Sequence, residues 1–151
     1  RELLAENTRF LNPSPYTTLT IPGTAKTIIN TSYYNQNNGA IVSESGRGYT
    51  MKDYIQPIIT AGGINAITTK PGGGTITMSG ASVAGAILAG CCALIIQWAV
   101  VDGNDPQMYA TKLQAYIIRG ARKREGDTYP NRQWGYGILD MQEIFKSLTN
   151  K

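Results

Sequence analysis

Histidine is absent from this sequence of 151 residues. Without an imidazole, the chain alone cannot build a histidine metal site, supply a histidine general base or respond to pH through histidine. A complete Ser-His-Asp catalytic triad is therefore excluded for this chain acting alone.

Cysteine is scarce as well, and the two cysteines present, Cys91 and Cys92, are adjacent in an apolar run. Neighbouring cysteines on a helix point to different sides, and a disulfide between them would be strained. We therefore predict buried, reduced thiols and no disulfide framework. The sequence begins at Arg1 without a methionine or the basic-then-apolar form of a signal peptide, which we interpret as a processed chain or an internal fragment.

Charged residues make up only 16% of the chain, and the net charge of +4 is too small to make nucleic acid the expected partner. The basic residues cluster at Arg119, Arg122, Lys123 and Arg124. We interpret this basic patch as a solvated helix end whose cations offset the helix dipole.

The residues that are plentiful indicate one globular unit with many turns. Hydrophobic residues make up 42% of the chain, and 17 glycines and 7 prolines argue against an all-helical bundle. A short helix is predicted over residues 2–8. Pieces rich in isoleucine and threonine, separated by glycine, asparagine and proline clusters, predict short strands at residues 26–31, 40–43, 54–60, 64–69 and 75–78.

A long apolar run follows at residues 83–101, where Gln97 is the only strongly polar side chain. Its length and apolarity are compatible with a membrane-spanning helix, and equally with a helix buried on all sides at the centre of an α/β protein. The flanks favour the buried helix, because Asp102 and Asp105 follow directly and no lysine or arginine cluster lies at either end.

Two amphipathic helices are predicted after this run. The first begins at Asp105 and Pro106 and ends at Gly120, and the second begins at Asp140 with Glu143 in a capping box. Their apolar stripes consist of Met108 or Tyr109, Leu113, Tyr116 and Ile117 in the first, and Met141, Ile144, Phe145 and Leu148 in the second.

The candidate chemistry lies just before the long apolar run, where a strand and a glycine-containing turn lead to Ser82. A serine in the first turn of a helix can attack a carbonyl carbon while its own backbone amide holds the resulting oxyanion. The alternative is a serine that caps the helix among closely packed small residues, and the pattern alone favours this structural role.

Several blocks of the sequence resemble the subtilisin-like serine peptidases, or subtilases. GASVA at residues 80–84, with Gly90 eight residues after the serine, resembles the nucleophile motif Gly-Thr-Ser-x-Ala. The other blocks occur in the family's order. PGTA at 22–25 resembles its Pro-Gly segment, SESGRGYT at 43–50 its FSSRGPT loop, QPIITAG at 56–62 its KPDIVAPG segment and WGYG at 134–137 its closing strand. NPSP at 12–15 and QWAVV at 97–101 resemble clostridial members, especially the Csp-type germination proteases.

The resemblance implies an α/β fold: the C-terminal part of a subtilisin-like three-layer domain, with a mostly parallel sheet and a central buried helix starting near Ser82. It implies that residues 1–151 form one segment of that catalytic domain and that Ser82 is the nucleophile, its amide being one oxyanion donor. The family's catalytic Asp, catalytic His and oxyanion Asn would lie upstream, outside this chain. A serine endopeptidase would then act only when completed by that segment, on a protein substrate such as a spore germination zymogen, in an extracytoplasmic or spore-associated location.

Three departures from the family pattern keep an alternative open. Ala81 replaces the usual threonine, Ala86 stands where many relatives have proline, and TAGG at 60–63 replaces Ala-Pro-Gly. Several Csp-type proteins are catalytically inactive, so a pseudoprotease that acts by binding is the second hypothesis. A membrane-anchored protein is the third. The resemblance implies no cofactor; relatives often bind structural calcium, although no loop with calcium-ligand spacing lies in this sequence. Its partners would be the substrate and the upstream segment, without nucleic acid or membrane.

Overall fold

The computed structural model describes residues 5–149, which form an α/β arrangement of five strands and three α-helices. The strands are β1 (Thr31–Asn35), β2 (Ala40–Ile41), β3 (Ile59–Gly62), β4 (Ala66–Thr69) and β5 (Thr75–Met78). The helices are α1 (Ala81–Ile96), continued by a π-helical turn (Gln97–Val101), α2 (Ala110–Arg119) and α3 (Met141–Thr149).

The main sheet has the order β2-β1-β3, and its central pair is parallel. β1 and β3 run side by side from Thr31 opposite Ile59 to Tyr34 opposite Gly62, and a parallel bridge joins Thr60 to Ile138. β2 is antiparallel and pairs with only the last two residues of β1. Among residues 5–149, no strand lies beside the first residues of β1 on that side, so the sheet has an open edge there.

A separate two-stranded hairpin is formed by β4 and β5, from Ala66 opposite Met78 to Thr69 opposite Thr75. Its turn contains the glycines at residues 72–74. This agrees with the strands predicted at 64–69 and 75–78 and the glycine cluster between them. Both strands are largely exposed. The hairpin stands beside the first turn of α1, which follows β5 after only two residues.

The core lies between the sheet, one face of α1, and the helices α2 and α3. It contains Ile58, Ile59, Leu88, Ile95, Leu113, Ile117, Ala121, Ile144 and Leu148. Trp98 in the π-helical turn contacts the rings of Tyr116 and Phe145 edge-on, with centroids 6.4 and 6.3 Å apart, and so joins α1 to α2 and α3.

Gly120 allows α2 and α3 to approach each other closely. A Cβ atom at this position would lie 2.3 Å from the Cα atom of Ile144, which is fully buried. Any side chain here would therefore push the two helices apart. The end predicted at this glycine for the first amphipathic helix is confirmed, since α2 ends at Arg119.

The long helix is present as predicted, but only one of its faces is covered. The stretch Ala81–Val101 has a hydropathy of 2.1 over its most apolar window and is long and apolar enough, by length and composition, to cross a membrane. Ala84, Leu88 and Ile95 are buried, whereas Leu94 and Val101 are 52% and 76% exposed. The predicted burial on all sides is not reached, because the described residues cover one face alone.

Three predicted boundaries are wrong. The strand predicted at 26–31 lies instead at Thr31–Asn35, because pairing with buried β3 outweighs the stronger β-propensity of the isoleucines before it. The strand predicted at 54–60 likewise reduces to β3. The helix predicted to begin at Asp105 begins at Ala110, since the Asp105 carboxylate instead contacts Lys112 Nζ at 2.5 Å and accepts a hydrogen bond from the Tyr116 hydroxyl at 2.7 Å.

The other terminal features agree in part. Asp140 Oδ1 accepts a hydrogen bond from the Glu143 backbone N–H at 3.2 Å, which confirms half of the predicted capping box, but the Glu143 carboxylate contacts Lys146. The helix predicted at residues 2–8 lies partly outside the described residues. The described part forms a turn closed by a hydrogen bond from the Thr8 N–H to the Ala5 carbonyl.

Candidate active site

Ser82 is the second residue of α1 and is exposed to solvent. Gly80 precedes the helix with φ 139° and ψ 171°, a conformation that L side chains rarely adopt. Its N–H donates to the Gly63 carbonyl at 2.7 Å, and its carbonyl accepts from the N–H groups of Val83 and Ala84. The hairpin, the end of β3 and the start of the helix therefore jointly fix the position of Ser82.

The structural role considered for Ser82 does not match its position. The N-cap of α1 is Gly80, and no side chain caps this helix. The Ser82 hydroxyl makes no hydrogen bond to any part of the chain between residues 5 and 149. An exposed hydroxyl without a partner at the end of a strand-turn-helix unit is suited to contact a ligand.

The electrostatics of this helix end favour negative charge. The first amides of a helix have no acceptor within the helix, and the helix dipole is positive there. No acidic residue lies in the first turn of α1 to offset that field. An oxyanion formed next to Ser82 would therefore be stabilised by the helix end and by the serine's own amide.

Two grooves meet at Ser82. The sheet-side groove, of about 710 Å³, lies between residues 22–31 and α1, and its walls include Gly23, Asn30 and Leu88. The hairpin-side groove, of about 360 Å³, lies between the β4–β5 hairpin and α1, and its walls include Ile67 and Met78. In the described part of the chain, both grooves leave Ser82 open to solvent.

The β4–β5 hairpin forms one wall of the hairpin-side groove, and this role was not predicted from the sequence. Ile67 and Met78 are 75% and 51% exposed although they are large and apolar, because no other element packs extensively on the hairpin in the described part of the chain. The only signal was that a strand pair rich in isoleucine and methionine immediately precedes the serine motif.

The groups that would activate Ser82 are not supplied by this chain. It contains no histidine, and no Asp or Glu among residues 5–149 lines either groove. Cys91 and Cys92 are free and half-buried, and burial raises the pKa of both thiols, so neither competes as a nucleophile. Across the described residues, no group of three or more Cys, Asp and Glu side chains could hold a metal ion.

The basic patch is held by neighbouring groups. Arg122 Nε lies 3.4 Å from Asp140, and Arg124 lies 3.5 Å from Asp127 and stacks on the Trp134 ring. The Lys123 ammonium donates to the Tyr136 carbonyl, and burial lowers its pKa. Only Arg119 lies in the last turn of α2, so the helix-dipole interpretation holds for that residue alone.

A family model described as the subtilase family matches residues 7–137. Among solved structures, the Clostridium perfringens CspB protease superposes with a TM-score of 0.88 at 37% identity, covering 95% of this chain and 32% of that one. The prenylagaramide maturation protease PagA superposes with a TM-score of 0.72 at 26% identity, covering 90% and 48%.

The patellamide maturation protease PatA superposes with a TM-score of 0.72 at 27% identity, covering 89% of this chain and 47% of that one. No curated protein sequence matches the chain. The chain therefore spans between a third and a half of the length of the proteases that it resembles in structure.

Proposed function

The chain belongs to the subtilase family, and we propose that it carries the nucleophile, Ser82, of a serine endopeptidase of that family. The observation that carries this proposal is the exposed Ser82 hydroxyl at the start of α1, where two grooves meet and no side chain caps the helix. A residue that only stabilised the helix would lie at the N-cap, where Gly80 is found.

We propose that the catalytic Asp, the catalytic His and the oxyanion Asn come from an upstream segment outside this chain. The absence of histidine supports this, as does the 32% share of the CspB protease chain that is covered. The outer face of α1 supports it further, because Ile87, Leu94 and Val100 are 41%, 52% and 44% exposed. The open edge of β1 would then receive another parallel strand.

In this mechanism the Ser82 Oγ attacks the scissile carbonyl carbon while the upstream His takes its proton and the upstream Asp orients that His. The Ser82 amide and the Asn side chain hold the oxyanion. Collapse of the tetrahedral intermediate expels the amine, which receives the proton from the His, and water then hydrolyses the acyl-enzyme. This chemistry requires no cofactor. A structural calcium ion is a separate proposal, which rests on the family resemblance alone.

The proposed substrate is a protein. The similarity to the CspB protease and the Csp-type resemblance support a zymogen cleaved during spore germination, in an extracytoplasmic or spore-associated location. A second function, an inactive subtilase that binds and regulates a partner, is favoured by one observation. Ala81 lacks the hydroxyl that the family's threonine offers beside the oxyanion site.

The Ser82→Ala variant of the complete polypeptide tests the assignment. We expect cleavage of a protein substrate to fall by at least about a thousandfold, since the attacking oxygen is removed. Ser79→Ala is the matched control, because it removes a hydroxyl three residues away. That hydroxyl accepts a hydrogen bond from the Asn65 backbone N–H at 2.9 Å and donates one to Asn65 Oδ1 at 3.5 Å. Equal thermal unfolding of both variants would show that the fold is intact, and full activity of Ser82→Ala would refute the assignment.

A further inference from the structure

A second cavity, of about 650 Å³, lies between residues 17–26 and the loop at residues 49–54. This volume falls within the range of about 300–1,000 Å³ that is typical of ligand pockets. Its lining shares no residue with either groove at Ser82. We call it the lysine cavity, after Lys26 and Lys52 in its lining.

The walls of the lysine cavity are fixed by hydrogen bonds. Thr18 and Arg47 are joined twice, by the Thr18 N–H to the Arg47 carbonyl and by the Arg47 N–H to Thr18 Oγ1, each at 3.0 Å. The loop is closed in the same way between Thr50 and Tyr54, at 3.2 and 3.0 Å. The Tyr49 hydroxyl donates to the Pro130 carbonyl at 3.1 Å. A cavity with such walls binds a ligand without ordering its own backbone.

The lining combines apolar surface with positive charge. Leu19, Ile21 and Met51 supply aliphatic surface, and the latter two are 88% and 91% exposed. Lys26 and Lys52 are the only charged residues in the lining, and no carboxylate faces them there. The surface is therefore complementary to a segment that carries both apolar side chains and carboxylates.

The lysine cavity and the sheet-side groove are separated only by residues 21–24. Ile21 and Thr24 line the cavity, whereas Pro22 and Gly23 line the groove that contains Ser82. The Asn30 side-chain amide donates to the Gly23 carbonyl at 3.0 Å and supports this partition. A polypeptide bound at Ser82 can therefore place another of its segments in the cavity, on the other side of residues 21–24.

We propose that the lysine cavity is an exosite that binds an acidic, apolar segment of the protein substrate, separate from the residues that are cleaved. Carboxylates of that segment contact Lys26 and Lys52, and its aliphatic or aromatic side chains pack on Leu19, Ile21 and Met51. The identification of the segment as part of a substrate rests on the proposed function, whereas binding itself does not.

Binding is tested with the complete polypeptide carrying Ser82→Ala, so that the peptide is not cleaved. The probe is a fluorescein-labelled peptide with leucine and phenylalanine flanked by glutamates, and fluorescence anisotropy gives its Kd. We expect the same peptide with glutamines to bind about tenfold more weakly, since each exposed ion pair contributes a factor of about two to five. Equal binding of both peptides, or binding of neither, would overturn the proposal.

Matched variants locate the site. Lys52→Glu is expected to weaken binding about fivefold or more, whereas Lys70→Glu, the same charge change at the hairpin turn, alters Kd less than twofold. Met51→Ser should weaken binding while Leu11→Ser does not, although both residues are more than 90% exposed. If Lys52→Glu and Lys70→Glu behave alike, the peptide binds elsewhere or an upstream segment fills the cavity, and the proposal fails.

A kinetic readout separates this proposal from the proposed function. In the active polypeptide, Lys52→Glu should raise KM for casein with kcat unchanged, and should leave cleavage of a short chromogenic peptide unaffected. An unchanged KM for casein would refute the exosite. Peptide binding that depends on Lys52 in a polypeptide without peptidase activity would refute the proposed function and leave the binding site in place.

Discussion

The two faces of α1 differ sharply in how far their apolar side chains are buried. On the inner face, Leu88 is 5% exposed and Ile95 is fully buried against the core shared with α2 and α3. On the outer face, Ile87, Leu94 and Ile96 are 41%, 52% and 40% exposed with comparable side chains. The helices α2 and α3 show no such mismatch, because their outer faces are polar.

This difference shows that α1, although apolar on every side, has one side that the described residues leave exposed. A helix of this kind is stable when other elements cover it on every side. The described residues cover one side, and the chain spans 32% of the CspB protease chain to which it is similar. The outer face thus marks where the upstream segment of the catalytic domain is proposed to dock, on the same helix that carries Ser82.

Folding of the 151-residue chain by itself is expected to be severely impaired. We expect the isolated chain to aggregate or to unfold without a cooperative transition, since its outer α1 face and open β1 edge remain uncovered. Circular dichroism during urea unfolding, combined with light scattering, measures this. A monomer that unfolds in one cooperative transition would contradict the docking account.

Leu94→Asp tests whether the outer face of α1 is covered in the complete polypeptide and exposed in the isolated chain. In the complete polypeptide, a buried and unpaired carboxylate should lower the free energy of unfolding by about 3 kcal/mol or more. In the isolated chain the same substitution should increase solubility, because Leu94 is half-exposed. Thr111→Asp, at an exposed position of α2, is the control and should change stability by less than about 0.5 kcal/mol. Similar effects of both substitutions in the complete polypeptide would show that the outer face is not covered.

Gly120→Ala tests the packed side. A Cβ atom 2.3 Å from the Ile144 Cα atom requires α2 and α3 to separate, so we expect a loss of about 1–3 kcal/mol in unfolding free energy. Gly90→Ala, where an added Cβ would meet nothing within 4 Å in this chain, is the comparison. In the complete polypeptide, Gly90→Ala should lower the unfolding free energy only if the upstream segment packs on α1 at this position.

The free energy of unfolding is expected to depend weakly on pH in the alkaline range. Hydrogen bonds to Asp105 raise the pKa values of Lys112 and Tyr116 above their ordinary values of 10.5 and 10.0. A raised pKa in the folded state gives stability that is present below the ordinary value and is lost as pH rises through the folded value. Unfolding free energy should therefore fall slightly above pH 10, and Asp105→Asn should reduce this fall, leaving the part that comes from the Cys91 and Cys92 thiols, whose pKa values are also raised. A variant that keeps the full pH dependence would exclude the cluster as its cause.

Much of the candidate site could be predicted from sequence, because its geometry is local. The order of strand, glycine turn and helix around Ser82 needs only residues 75–101. The start of α2 and the position of β1 could not be predicted, since both depend on distant partners. Asp105 contacts residues seven and eleven positions further on, and β1 is aligned by β3. The same holds for the lysine cavity, whose two walls are separated along the sequence and meet only in the fold.

The most direct measurement is covalent labelling of the natively purified complete protein with a fluorophosphonate, followed by mass spectrometry of its peptides. We expect a single adduct on Ser82, which disappears in the Ser82→Ala variant and persists in Ser79→Ala. An adduct requires an activated serine and hence a histidine from the upstream segment. Folded, intact protein that carries no adduct on Ser82 would contradict the peptidase assignment and favour a subtilase that acts by binding.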